Sequence, residues 1–231
     1  MKRNILLIGG STGIGLEIAH QLVKENKVVV ASRNKGELSD DVEHLEFDVL
    51  KDNIEDLDLP AEIHGLVYCP GSINLKPFKM LKHKDFEEEM NLNFLSSVKV
   101  VQALMPKLKS AENASLVFFS TVAVKVGMPF HTSVAAAKGA IEGFAKALAA
   151  EYAPKMRVNV IAPSLTDTPL AEKLLSNDSK KEKMSERHPL KRIGNAKDIA
   201  NAATFLLSEE NNWITGQIIS VDGGLSTLNI S

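Results

Sequence analysis

The sequence lacks several features that mark special classes of protein. It contains a single cysteine, Cys69, in 231 residues, so no disulfide can form within the chain and nothing points to an oxidising compartment. No apolar stretch reaches the roughly 18 residues that a membrane span needs. The N-terminal "MKRNILLIGG" runs directly into a strand-like segment without the pattern of a cleavable signal. We therefore expect a soluble, cytoplasmic protein.

The chain also lacks a strong excess of either charge. Its 27 basic and 29 acidic residues give a formal net charge of −2, which provides no field to attract nucleic acid or an anionic membrane. The longest charged run, "SKKEK" at 179–183, mixes both signs and is typical of a solvated helix face. We expect neither nucleic acid nor a membrane as a partner, and we assign no metal ligands. Apolar residues make up 44% of the chain, which is enough for a sizeable core.

Apolar runs of strand length alternate with longer helical patterns along the whole chain. The strands are predicted at 4–9, 27–31, 44–49, 65–69, 115–120, 157–162 and 217–221. The helical patterns are predicted at 14–25, 83–109, 131–152, 169–186 and 196–208. Because the strand runs are apolar on both faces, they predict a parallel sheet that is covered on both sides. The alternation predicts an α/β fold with a doubly wound sheet, in one domain over residues 1–231. Between Arg33 and His44 there is little room for a crossover helix, so we expect a turn there.

A glycine-rich stretch, "GGSTGIG", joins the first strand to the first helix. Glycines at 9, 13 and 15 permit a tight turn and a close approach of phosphate to backbone N–H groups. The N-terminus of the following helix favours negative charge. The position after the first strand is the one that the binding mechanism requires, so the stretch predicts a nucleotide site. The alternative is an ordinary glycine-rich βα turn.

The end of the second strand bears on the choice of cofactor. An acidic residue there would bind a ribose 2′-OH, but the sequence reads "VVVASRN", with Ser32, Arg33 and Asn34 and no carboxylate. Arg33 can pair with a 2′-phosphate by charge-assisted hydrogen bonds. The sequence therefore favours NADP(H) over NAD(H). The alternative is that Arg33 is an ordinary surface arginine.

These motifs occur in order along almost the whole chain, together with "FDV" at 47–49, "NLNF" at 91–94, "AAAKGAIEGFAKALAAEYA" at 135–153, "RVNVIAPSLTDTPL" at 157–170, "HPLKRIG" at 188–194 and "ITGQIISVDGG" at 214–224. On these stretches the chain resembles the short-chain dehydrogenase/reductase family, and most of all its 3-oxoacyl-[acyl-carrier-protein] reductase-like members. The resemblance implies a Rossmann-like sheet of about seven parallel strands with a bound dinucleotide. It also implies a homodimer or homotetramer.

The resemblance implies cofactor roles for residues in several parts of the chain. The pyrophosphate loop comprises Gly9, Ser11, Thr12, Gly13, Ile14 and Gly15. Asp48 and Val49 correspond to the pair that holds the adenine. Gly71 matches the glycine that ends the fourth-strand motif. Pro163 and Thr168 match a loop that meets the nicotinamide carboxamide, and residues 165–190 are expected to cover the pocket as a lid.

The resemblance also implies catalytic roles, and here the sequence departs from the family pattern. Lys138 matches the lysine that binds the nicotinamide ribose and lowers the pKa of a neighbouring phenol, and Asn93 matches the asparagine that holds a water in the proton path. Thr121 stands where the family has a serine and keeps the hydroxyl. Val134 stands where the family has its tyrosine proton donor. His131 shares a helix face with Val134 and Lys138 and could supply a proton in place of the phenol; alternatively it only lines the pocket or caps the helix.

Other side chains are weaker candidates for that proton. Ser133 is turned about 100° away around the helix, and Tyr68 is a phenol near the cofactor side. His188 falls in a stretch that the family uses as a structural loop.

Three functions follow from this pattern. The first is an NADP(H)-dependent oxidoreductase that transfers a hydride between nicotinamide and a carbonyl or alcohol substrate at an atypical active site. It predicts an open pocket near Thr121 and Val134. The second is a non-catalytic NADP-binding protein that acts as a sensor or regulatory partner. The third is a structural subunit, which the retained glycine loop, Asp48 and Lys138 argue against. The sequence does not identify the substrate.

Overall fold

The computed structural model describes residues 2–229, in which seven parallel strands form one sheet. The order across the sheet is β3-β2-β1-β4-β5-β6-β9. These strands are β1 (Asn4–Ile8), β2 (Lys27–Ser32), β3 (Glu43–Glu46), β4 (Gly65–Tyr68), β5 (Ala114–Phe119), β6 (Met156–Pro163) and β9 (Ile218–Val221). A separate short pair is formed by β7 (Thr166–Asp167) and β8 (Gly194–Asn195). The predicted α/β fold with about seven parallel strands is confirmed.

Seven α-helices connect and cover the strands within the described residues. They are α1 (Gly13–Leu22), α2 (His83–Met90), α3 (Ser96–Ser110), α4 (Val122–Val126), α5 (Thr132–Tyr152), α6 (Asp178–Glu186) and α7 (Ala196–Leu207). A π-helical segment covers Asn91–Leu95, and short 3₁₀ helices cover Ile54–Asp56, Phe78–Met80, Pro169–Leu174 and Glu209–Asn211.

Two predicted helices are interrupted. The helix predicted over 83–109 is divided by the π-helical segment, where the amide of Asn93 donates to the Glu89 carbonyl at 3.0 Å. The helix predicted over 169–186 is a 3₁₀ turn followed by α6, because Asn177 starts a new helix by accepting the Lys180 N–H at 2.9 Å. The short α4 was not predicted, since five residues are too few to show a helical period. Residues 33–42 contain no helix, as predicted.

The core lies on both faces of the sheet, and alternate residues of each strand enter opposite layers. In β1, Leu6 and Ile8 pack in the layer that contains α3 and α5 residues, whereas Ile5 and Leu7 pack with residues of α1 and α7. This is the period of two expected of a strand with both faces covered.

Strand β1 lies between β2 and β4, so the chain direction across the sheet reverses at this point. In open parallel sheets, ligands bind in the crevice outside the carboxyl ends of the strands at such a switch point. The fold therefore places the glycine loop after β1 and the residues after β4 at the mouth of one crevice.

Candidate functional site

A cleft of about 650 Å³ lies along the carboxyl ends of the strands, and it brings together nearly all of the site residues predicted from the sequence. Its walls include Gly9, Ser11, Thr12, Gly13, Ile14, Gly15, Arg33, Asp48, Val49, Gly71, Thr121, His131, Lys138, Pro163 and Thr168. Asn93 is not part of this wall and is fully buried behind it. The volume is within the range of roughly 300–1,000 Å³ that is typical of small-molecule sites.

The glycine loop holds a backbone conformation that side chains would disturb. Gly13 has a φ of +55°, in the left-handed region that favours glycine. A Cβ on Gly15 would lie 2.6 Å from the Gly10 Cα, so the loop closes on itself only without a side chain there. Thr12 precedes α1 without making a capping hydrogen bond, and the first turn has no acidic residue. The N–H groups of that turn are therefore free to bind an anion.

The cleft runs from this loop to the ends of β2 and β3. Arg33 is exposed at the cleft wall and makes no ion pair with any residue of the described chain. Asp48 accepts a hydrogen bond from the Leu50 N–H at 3.0 Å and pairs with Lys51 at 3.2 Å. The Leu50 N–H and then the Lys51 ammonium hold the pKa of Asp48 below its ordinary value. An ionised Asp48 and an unpaired guanidinium thus lie on the same wall.

At the opposite end of the cleft, α5 presents His131, Val134 and Lys138 to the interior. Their spacing of three and four residues places them on one helix face. Thr121 faces them as the N-cap of α4, where its hydroxyl oxygen accepts the Ala123 N–H at 3.3 Å. That bond leaves the hydroxyl proton available to a ligand. The hydroxyl, the imidazole and the ammonium therefore meet in one open space.

Tyr68 and His188, which the sequence also singled out, lie in different surroundings. The Tyr68 hydroxyl donates to the Leu92 carbonyl at 3.0 Å inside the core, and burial raises the pKa of Tyr68 well above its ordinary value. Tyr68 does not reach the cleft and is no candidate for proton transfer there. His188 is buried and joins the lid to the sheet, because its ring bonds the Met184 carbonyl and the Ser164 hydroxyl, each at 2.8 Å.

Lys138 is the buried cation of the site, with only 7% of its surface exposed. Burial lowers its pKa from the usual value to about 8, against the opposing effects of Glu89 and Cys69. Burial also raises the pKa of Cys69 to about 12, so that thiol is neutral near pH 7 and carries no charge to offset the ammonium. Glu89 is therefore the acidic group that stabilises the charged form of Lys138.

The sequence analysis missed Glu89. It is 4% exposed, at the end of α2, and its carboxylate accepts hydrogen bonds from the Ser72 hydroxyl at 2.6 Å and the Asn93 amide at 2.8 Å. Ser72 lines the cleft. Asn93 lies in the π-helical segment, a feature that often occurs at functional sites. The only sequence signal was the proximity of Glu89 to the "NLNF" stretch.

The lid closes over the cleft beside the glycine loop. The position that a Cβ of Gly13 would take lies 3.4 Å from the Thr168 Cβ, so the start of the lid and the glycine loop are in contact. Pro163, at the end of β6, completes this part of the wall.

Across residues 2–229 no helix combines the length and apolarity needed to cross a membrane. The same residues contain no cluster of three or more His, Cys, Asp or Glu side chains suited to a metal ion.

The chain is similar to known proteins over nearly all of its length. Residues 48–226 match the family model described as Enoyl-(Acyl carrier protein) reductase. The 3-oxoacyl-[acyl-carrier-protein] reductase FabG of Thermotoga maritima is 31% identical over 95% of this chain and 96% of its own length. The ligand-free aldohexose dehydrogenase of Thermoplasma acidophilum superposes with a TM-score of 0.90 at 27% identity, covering 100% of this chain and 96% of that one. ElxO, solved with NADP bound, superposes with a TM-score of 0.89 at 25% identity over 99% of this chain and 100% of that one.

Proposed function

The chain belongs to the short-chain dehydrogenase/reductase family, whose matched members are reductases and dehydrogenases, and from this premise we propose that it is an NADP(H)-dependent enzyme with an atypical active site. It transfers a hydride between nicotinamide and a small-molecule carbonyl or alcohol. The position of the family's tyrosine proton donor is occupied by Val134.

The observation that carries this proposal is the continuity of the cleft. One open space extends from the glycine loop, past Arg33 and Asp48, to Thr121 and Lys138. The backbone fits a dinucleotide at its phosphate end, because the glycine loop leaves room for a phosphate and the first turn of α1 offers uncapped N–H groups. A structural subunit would have no need of such a cleft.

The preference for NADP(H) rests on Arg33. Its unpaired guanidinium lies on the wall beyond β2, where a ribose 2′-phosphate would gain charge-assisted hydrogen bonds. The strand ends without a carboxylate that would repel this phosphate. ElxO, which shares the fold and 25% of the sequence, has been solved with NADP bound.

The chemistry divides between the cofactor and the side chains. The nicotinamide supplies or accepts the hydride. Thr121 can hold the substrate oxygen through its hydroxyl proton. A proton must reach that oxygen during reduction, and two groups of the cleft wall can provide it, His131 and Lys138. Asn93 is buried next to this end and can hold a water in the proton path.

Apolar side chains make up much of the cleft wall. They include Ile73, Leu75, Met128, Leu170, Leu174 and Leu225. We therefore propose a substrate whose carbonyl or alcohol is carried on an apolar body. We also propose one dinucleotide-binding domain over residues 1–231, assembly as a homodimer or homotetramer, and a cytoplasmic location.

A non-catalytic NADP-binding protein is the second candidate, and the observation in its favour is Val134, whose side chain has no proton to give. The open cleft beside Val134 and Thr121 favours the enzyme, since a sensor needs no room for a substrate.

Titration of the purified protein with NADPH and with NADH, followed by nicotinamide fluorescence, tests the proposal. Binding of NADPH at least tenfold tighter than NADH supports the assignment of Arg33 and the loop. Oxidation of bound NADPH by a carbonyl probe such as ethyl acetoacetate then separates the enzyme from the sensor. Absence of binding to either cofactor overturns both functions.

A further inference from the structure

We propose that the ammonium of Lys138 is the proton donor to the substrate oxygen and that the buried carboxylate of Glu89 is the positioning residue that keeps this ammonium charged. The inference rests on the proposed oxidoreductase function. It assigns a role to Glu89. It also makes Lys138 itself the proton donor, whereas the lysine of the family pattern assists a neighbouring phenol.

The carboxylate of Glu89 is held in place by two hydrogen bonds. One of its oxygens accepts both the Ser72 hydroxyl and the Asn93 amide. The side chain is almost fully buried, and a buried charge is expensive unless another charge compensates it. Lys138 is the cation that interacts with it.

A small gap beside Gly71 connects these groups. The Lys138 Nζ and the Asn93 Oδ1 each lie 3.3 Å from the position that a Cβ of Gly71 would take, so the two atoms are no more than twice that distance apart. The Asn93 Oδ1 is buried and has no hydrogen-bond partner in the described chain. Lys138 likewise donates no side-chain hydrogen bond to any residue between 2 and 229. An unused acceptor and an unused donor thus face the same gap, which suits a bridging water.

His131 is less suited to give up a proton. It is the N-cap of the 21-residue helix α5, two turns away from Lys138. Its Nδ1 is hydrogen-bonded to the Pro129 carbonyl at 2.7 Å, so this ring nitrogen is already engaged with the backbone. Lys138, in contrast, lies two turns deeper on the same face and has an acidic neighbour.

In the reduction, a bound reduced nicotinamide would supply the hydride for the new C–H bond at the carbonyl carbon. The electron pair of the C=O π bond takes a proton from the Lys138 Nζ, whose N–H bond breaks, and a neutral amine remains. The Glu89 carboxylate favours return of a proton from solvent to that amine. The reverse sequence applies to alcohol oxidation.

This scheme fixes the direction of the pH dependence. The ionisable groups that face Lys138 from other elements are Glu89 on α2 and Cys69 after β4. His131 lies at the start of α5, the helix that carries Lys138, and lines the same cleft. Since the reduction needs the charged ammonium, its rate is constant at low pH and falls as pH rises through the pKa of Lys138, about 8. Removing the Glu89 charge lowers that pKa and moves the fall to lower pH.

The test compares Glu89→Gln with Glu88→Gln, which removes a neighbouring carboxylate from the exposed side of α2. The first readout is NMR titration of the ¹⁵Nζ-labelled lysines in the cofactor-free protein, with Lys138 assigned by Lys138→Met. The second is the pH profile of NADPH oxidation with the carbonyl probe. In Glu89→Gln both midpoints should fall by about one pH unit, a roughly tenfold loss of rate above the midpoint. Glu88→Gln should match the wild type.

Three results would overturn the inference. The Lys138 midpoint could be the same in Glu89→Gln and Glu88→Gln, or the rate could fail to follow that midpoint. His131→Ala could abolish the fall in the reduction rate at high pH, which would make the imidazole the proton donor. Glu89→Asp separates charge from shape, because it keeps the carboxylate and should keep the midpoint near that of the wild type. The NMR titration uses the cofactor-free protein, so it tests the effect of Glu89 on Lys138 even if NADPH fails to bind. Failure of the proposed function can therefore be told apart from failure of this inference.

Discussion

The two ends of the cleft present different groups to a ligand, backbone N–H groups at one end and side chains at the other. At the phosphate end, the glycine loop and the first turn of α1 offer backbone N–H groups in a conformation set by Gly13 and Gly15. At the proton-transfer end, side chains converge from separate elements, among them Thr121 before α4, Lys138 on α5 and Glu89 on α2.

This difference bears on how each end tolerates substitution. A backbone site tolerates any substitution that preserves its φ angles and its close approaches, whereas a side-chain site depends on individual atoms. We propose that Val134 stands where the family has its tyrosine, so that this end lacks the proton of the phenol. In our proposal the Glu89 carboxylate, acting on the Lys138 ammonium, retains acid–base chemistry at the altered end.

The largest effect is expected when a phenol is introduced at position 134, at the proton-transfer end of the cleft. Val134→Tyr should place a hydroxyl one helical turn before Lys138, and a general acid contributes roughly 10²–10⁴-fold. We expect kcat for the carbonyl probe to rise by about 10²-fold. Val134→Phe fills the same space without the hydroxyl and should give no increase. Equal rates for the two variants would show that position 134 does not face the reacting oxygen.

The phosphate end can be broken through its backbone. Gly15→Ala places a methyl group 2.6 Å from the Gly10 Cα, so the loop must shift. The expected result is a rise in the NADPH Kd of roughly 10²-fold, or about 2.7 kcal/mol, measured by fluorescence titration. The control is Gly143→Ala on α5, where the new methyl group would meet nothing within 4 Å beyond its chain neighbours and the backbone of its own helix. An unchanged Kd in Gly15→Ala would contradict the placement of the pyrophosphate.

We attribute the proposed preference for NADPH to one side chain, Arg33, at the phosphate end of the cleft. Arg33→Ala should raise the NADPH Kd about tenfold, since a hydrogen bond to a charged group contributes roughly 1.5–3 kcal/mol and Arg33 is exposed. The NADH Kd should stay the same. Lys146→Ala removes an equal charge from an exposed position of α5 that lies outside the cleft wall and should affect neither constant. Parallel losses for both cofactors would assign Arg33 to general electrostatics.

The smallest expected effect concerns the gap beside Gly71. In Gly71→Ala the new methyl group would lie 3.3 Å from both the Lys138 Nζ and the Asn93 Oδ1, in the gap that suits a bridging water. A hydrogen bond contributes roughly 0.5–1.5 kcal/mol, so we expect kcat to fall by about tenfold or less. The NADPH Kd should change less than kcat does. A larger loss of binding than of turnover would place Gly71 in the cofactor site alone.

Much of the fold was predictable because it depends on local patterns. The seven sheet strands were predicted to within three residues at each end, since each is a short apolar run between turn signals. β3 ends earlier than predicted, at Glu46, although Phe47 beyond it is still buried in the core. An apolar pattern marks burial, whereas a strand ends where its ladder of hydrogen bonds ends.

The cleft residues were predictable for a related reason. Loops that follow parallel strands meet at one edge of the sheet, so motifs at Gly13, Asp48 and Thr121 had to converge there. The roles assigned to these residues remain predictions. Tyr68 shows the limit of such reasoning, because it adjoins the cleft in sequence yet points into the core.

The sequence by itself determined the sheet, the glycine loop and the absence of a tyrosine before Lys138, because each of these follows from residue type and local spacing. Only the tertiary structure decided which carboxylate faces that lysine. The run of Glu87, Glu88 and Glu89 offers three similar side chains, and the first two are exposed. Glu89 is buried because α2 packs against α5 and because Ser72 and Asn93 satisfy its charge. Those partners come from other parts of the chain, and no local pattern records their meeting.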